Sequence, residues 1–77
     1  MTTQFDIKQK GLELLNKRVQ DLLADGYHIV INYKDNSLCL VKLRHHNGNR
    51  ITLKFHILDG TITQCTNHIQ VYSHKVC

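Results

Sequence analysis

A chain of 77 residues and 9.0 kDa has room for one small domain, near the lower size at which a hydrophobic core holds a fold unaided. With 42% hydrophobic and 21% charged residues, no Pro and no low-complexity tract, the composition excludes a disordered linker, and no apolar run approaches the roughly 20 residues that span a bilayer. A net charge of +4 and a pI near 9.2 lean toward an anionic partner.

Thr3 and Asp6, three residues apart, can satisfy the free backbone N–H groups that open a helix. Phe5, Leu12, Leu15, Val19, Leu22 and Leu23 then fall on one side at about 100° per residue, which predicts an amphipathic helix over 4–25. Gly11 weakens its first half by about 1 kcal/mol relative to Ala. Gly26 suits the left-handed position that ends a helix. Ile7 and Leu14 fall outside the stripe, on the opposite side, as an exposed pair or the start of a contact surface.

After Gly26 the hydrophobic period changes from 3.6 to 2, and the alternation predicts strands over 27–33, 38–46, 50–58 and 61–72. Turn residues separate them: Lys34-Asp35-Asn36, Asn47-Gly48-Asn49 and Asp59-Gly60. Three-residue loops at 34–36 and 47–49 would pair Ile31 with Cys39, Ile29 with Val41 and Leu43 with Leu53. That register gathers Tyr27, Tyr33, Phe55 and the branched residues on one face, under the helix. The last strand fits neither face cleanly, which calls for a bulge near Thr66-Asn67 or a division into two short strands. The expectation is one α+β domain: an N-terminal helix on one face of a four-stranded antiparallel meander, α-β-β-β-β, in two layers. This order of elements resembles the first four of a double-stranded RNA-binding domain, without that family's second helix.

Divided at Gly26, the charge separates. Residues 1–26 carry four cations and four acids, whereas 27–77 carry six cations, two acids and all six His. Between Asn36 and Leu58 no acid occurs. Lys42, Arg44, Lys54 and His56 alternate away from the expected core, with Arg50, His45 and His46 near the connecting turn. These residues form a basic open face suited to nucleic-acid phosphates, RNA preferred, or to a ribonucleoprotein. With Tyr27, Tyr33 and Phe55 assigned to the core, backbone contact or structured RNA fits such a face better than base stacking.

The same face would carry Val30, Leu38, Leu40 and Leu58. Together with Ile7 and Leu14 they support the rival reading: an inhibitor or adaptor of phage or mobile-element type that binds a bacterial protein target, an acidic one included, or a homodimer interface. A second alternative is a small zinc-binding domain, because Cys65, His68, His74 and Cys77 supply four ligands of the right chemistry. Against it, residues three apart on a strand face opposite sides, so no metal or other cofactor is expected. No phosphate-cradling glycine loop or paired carboxylates occur, which argues against an enzyme and against a catalytic residue set. Three Cys in no disulfide spacing, and no signal-peptide pattern at the N-terminus, predict a reducing, cytoplasmic setting.

Overall fold

Gln4–Ala24 form the helix α1, and five strands follow: β1 (Tyr27–Lys34), β2 (Leu38–His45), β3 (Arg50–His56), β4 (Thr61–Thr66) and β5 (Ile69–Lys75). The computed structural model describes the backbone of residues 4–67 and 69–75, and the side chains of 6–67 and Ser73. All neighbouring strands are antiparallel, in the spatial order β1-β2-β3-β4-β5. The helix packs on one face of this meander, so the domain is two-layered α+β as the sequence predicts. Among the described residues no helix is long and apolar enough to cross a membrane.

The meander has five strands where four were expected. The segment read as one strand over 61–72 turns back at Asn67, whose φ of 50° is in the left-handed region that Asn tolerates better than most residues. Thr66 then pairs with Ile69 and Gln64 with Tyr72, a hairpin across a two-residue turn. Of the two arrangements open for this segment, the division into two strands is the one present.

Both expected registers are also corrected. Leu43 lies opposite Ile51, and Val41 opposite Leu53. The loop does have three residues, but it begins one residue earlier, because Gly48 with its φ of 97° must take the final, left-handed position. Gly48 N–H donates to His45 O at 2.9 Å and His45 N–H to Asn49 O at 2.8 Å, the signature of a type I turn closed by a glycine bulge. The face assignment survives this shift of two. Cys39, Val41 and Leu43 still share the core side with Ile51, Leu53 and Phe55, and β2 and β3 alternate strictly between buried and open positions.

In β1 the correction changes faces. Asp35 N–H donates to Leu38 O, so the loop there is only Asn36-Ser37. The pairing is Tyr33 with Leu40 and Ile31 with Lys42, then shifts at Val30 to Ile29 with Leu43 and Tyr27 with His45. Val30 is the extra residue of a bulge. Tyr33 and Ile31, expected in the core, therefore stand on the face turned away from the helix, 49% and 46% exposed.

The core gathers Leu15, Val19 and Leu22 from α1 against Cys39, Val41, Leu43, Ile51, Leu53, Phe55, Ile57 and Ile62. Each such side chain contributes about 1.5–3 kcal/mol when fully buried. Ile7, expected on the outer side of the helix, packs against this core, while Leu14 sits beside Arg18 and Ile62 at its margin. The cause is Gly11. It is buried at the centre of the seam and has no side chain to mark it, so the visible stripe read as ending too early. A Cβ at Gly11 would collide with Cζ, Cε1 and Cε2 of Phe55. Beyond the apolar seam, Arg18 Nε and Nη2 donate to Gln64 Oε1 at 3.1 and 3.0 Å, satisfying a buried amide on the helix side of β4.

Gly11→Ala should lower stability by about 1–3 kcal/mol through overpacking, although Ala adds roughly 1 kcal/mol of helix propensity. Urea denaturation of Gly11→Ala, Phe55→Leu and the double variant will check it. The double should cost less than the two single changes together, and strictly additive costs would exclude the contact. Arg18→Ala should cost about 1–3 kcal/mol by orphaning the Gln64 carbonyl, measured in the same way.

Candidate nucleic-acid interface

Because successive residues of a strand point to opposite faces, the pairing maps the open face rung by rung. At the β2–β3 turn, His28, Arg44 and Arg50 share one rung. The next holds Ile31, Lys42, Thr52 and Cys65, and the third Tyr33, Leu40, Lys54 and Thr63. Leu38, His56 and Thr61 complete the series. Adjacent rungs on one face lie about 7 Å apart along a strand, close to the spacing of successive phosphates in an extended nucleic acid strand. No strand of the sheet contains an Asp or Glu.

The four expected cations thus lie on one surface: Lys42, Arg44 and Arg50 clustered, Lys54 one rung beyond Lys42. Arg44 directly opposite Arg50 is a like-charge cross-strand pair, which destabilises a sheet unless an anion shares it. Beside this pair a depression of about 250 Å³ is lined by Val30, Lys42, Arg44, Arg50 and Thr52. Arg50 is held through its backbone. Its N–H donates to Asn67 Oδ1 at 2.9 Å and its carbonyl accepts from Asn67 N–H at 2.8 Å, so the residue that turns the chain between β4 and β5 also anchors the basic rung.

The histidines divide. His56 lies on the open face and His46 is exposed at the hairpin tip. His45 is instead on the helix side. Its Nδ1 accepts from Asn47 N–H at 3.2 Å, which leaves Nε2–H to donate to Asp25 O at 3.1 Å, and its ring meets Tyr27 edge-on with centroids 4.8 Å apart. His45 therefore ties the end of α1 to the β2–β3 hairpin. His46 lies against it at 4.1 Å between centroids.

His28, which alternation also turns away from the core, lies on the open face, and so does Tyr33, which was not among the expected contact residues. The two-residue Asn36-Ser37 loop sets Tyr33 opposite Leu40 and so on this face, while the bulge at Val30 returns Ile29 and Tyr27 to the core side, so only a signal for the shorter loop in the sequence could have revealed Tyr33. The Tyr33 hydroxyl donates to Asp35 Oδ2 at 2.7 Å, while Asp35 Oδ1 accepts from Ser37 N–H and Leu38 N–H, both at 2.8 Å, and from Ser37 Oγ at 3.1 Å. The Ser37 backbone bond, then those from Tyr33 and Leu38, lower the Asp35 carboxyl to about 2. The bond to Asp35 and its negative charge raise the Tyr33 phenol. The Tyr33 ring is thereby tethered while remaining open to solvent.

The six residues of the rival protein interface do not form one surface. Val30, Leu38 and Leu40 lie on the open face, Leu58 is 72% exposed in the turn after β3, and Ile7 and Leu14 are on the helix layer. Of the zinc candidates, His68 and Cys77 lie outside the described residues. Cys65 is a free, half-buried thiol on the open face, and position 74 pairs with Ile62, three residues along β4 from Cys65. Among the described residues no three His, Cys, Asp or Glu come together as metal ligands. Compared with family models, with curated proteins and with solved structures, the chain finds no match.

The Asp35 carboxylate should give the hairpin an acid-dependent contribution. Its pKa is lowered from 3.8 to about 2, so the contribution is fully present above about pH 4 and is lost as pH falls toward 2. Asp35→Asn should lower the urea midpoint at neutral pH and flatten its fall across that interval. An unchanged acid slope would place the titration elsewhere.

Proposed function

We propose that this protein is a non-enzymatic binding module that holds a single nucleic acid strand, RNA preferred, against its open sheet face. The observation that carries this reading is the Arg44–Arg50 rung on a sheet without an acid in any strand. Two opposed guanidinium groups cost stability in the free protein, and a bound phosphate removes that cost. Lys42 and Lys54 continue the track along the face at about one phosphate spacing, with His56 and the tip residue His46 at its margins.

Tyr33 moves the preference from structured RNA toward a single strand. An exposed ring next to Leu40 and one rung from Lys42 combines a stacking platform with a cationic track, the pairing by which open sheet faces hold unpaired bases. The Asp35 bond restrains the ring before binding, which lowers the ordering cost of stacking on it.

Fluorescence anisotropy with short single-stranded RNA and DNA across a salt series tests the proposal. With four phosphate contacts, log affinity should fall with log salt at a slope of about −3. Lys42→Glu with Lys54→Glu should abolish binding. Tyr33→Leu should weaken it about tenfold or more while leaving the slope unchanged, as loss of one stacked base requires. Affinity insensitive to salt would overturn the reading, and salt-dependent capture of an acidic protein in preference to RNA would replace it with the protein-binding one.

A further inference from the structure

We propose that β1 joins two copies of this chain edge to edge, antiparallel about a two-fold axis between Val30 and Ile31, so that two five-stranded sheets become one. β1 is an outer strand of eight residues. Its middle exposes three consecutive apolar side chains, Ile29 at 41%, Val30 at 51% and Ile31 at 46%. Outer strands are normally guarded by Pro, by charge along their length or by a bulge. This one has no Pro and its single charged residue is Lys34 at the very end, so the bulge at Val30 is its guard against a regular strand.

The bulge identifies the occupant. A regular strand laid along β1 must shift register at Val30, as β2 does on the other side, and loses a rung there. A second copy carries the same extra residue, so the halves on either side of the axis stay in step. Tyr27 then meets the partner's Lys34, His28 the partner's Tyr33, Ile29 the partner's Asn32 and Val30 the partner's Ile31. Each of these pairings joins positions on the same face. Tyr27, Ile29, Asn32 and Lys34 pair with the core side of β2 or with His45, whereas His28, Ile31 and Tyr33 pair with its open side.

Charge agrees with this pairing. Lys34 lies opposite a tyrosine ring and not opposite another lysine, and no like charges meet along the contact. Val30 and Ile31 of both copies meet at the axis, which would cover the most apolar part of the edge. A two-fold axis perpendicular to the sheet leaves both basic faces on the same side. The pairing itself does not depend on what those faces bind.

Sedimentation equilibrium of nuclease-treated protein at high salt separates this contact from any bridging by nucleic acid. The expected result is a concentration-dependent approach to twice the 9.0 kDa chain mass. Val30→Lys should hold the protein at the single-chain mass with an unchanged circular dichroism spectrum. A second measurement reads the register: in a Cys65→Ser, Cys77→Ser background, Ile29→Cys mixed with Asn32→Cys should cross-link on mild oxidation, and neither should do so alone. A single-chain mass at every concentration would overturn the proposal, as would a dimer that Val30→Lys leaves intact. Equal cross-linking of either variant by itself would also overturn it.

Discussion

Phe55 rises from the central strand into the helix at the one position where α1 carries no side chain. Gly11 lets the ring tip reach the helix backbone, and the fully buried ring in turn sets how close and how far along the sheet the helix sits. Cores are packed too densely for such a ring to give way, so this contact fixes the separation of the two layers. Arg18, about two helix turns beyond Gly11, bonds Gln64 and holds the helix over β4. Among the described residues α1 is the single helix, and with that helix seated on Phe55 none of them covers the opposite face.

That uncovered face explains the distribution of charge. Burying an acid or a base beneath α1 would cost several kcal/mol unless paired, and among the described residues the side chains buried there are apolar apart from Gln64, which Arg18 satisfies. The open side faces no such penalty and could have carried both signs. Its strands carry only one: Arg44 and Arg50 are direct neighbours, with no carboxylate in any of the five strands to relieve them, and Asp35, in the β1–β2 turn, bonds Tyr33 instead. A sheet selected for stability alone would place opposite charges across such a rung. The cost is local, at the hairpin that His45 ties to the end of α1, and it is borne where the framework is firmly anchored.

Much of this was legible in the sequence, because periodicity reports burial. The helix, the change of period at Gly26, the turns at Asp35 and Asn47-Gly48, and the basic side of β2 and β3 follow from residue type at a spacing of 3.6 or 2. Three features were not legible, each for a physical reason. Gly11 has no side chain, so hydropathy cannot mark it as core, and Ile7 was set on the wrong side as a result. Gly48 required a left-handed position that moved its loop by one residue; a shift of two in the register left every face unchanged. The Asn36-Ser37 loop and the bulge at Val30 were the consequential omissions, since they turn Tyr33 and Ile31 from one face to the other. Both depend on hydrogen bonds, from Asp35 in the turn and across the β1–β2 ladder, that alternation does not encode.

The bulge therefore links two properties of the molecule that the sequence shows separately. It keeps Tyr27 and Ile29 on the core side while the Tyr33 ring stands on the basic face, and at Val30 itself it breaks the edge of the sheet for any straight partner. A strand such as Tyr-His-Ile-Val-Ile-Asn-Tyr, apolar at its centre and lacking proline, would otherwise accept almost any extended chain through its backbone groups. An inserted residue makes that edge selective, because only a strand with a matching insertion keeps both halves in register. The same irregularity thus governs what the face can present and what the edge can accept. It adjoins the Arg44–Arg50 rung through the depression that Val30 helps to line, so the edge and the charged track meet at one residue.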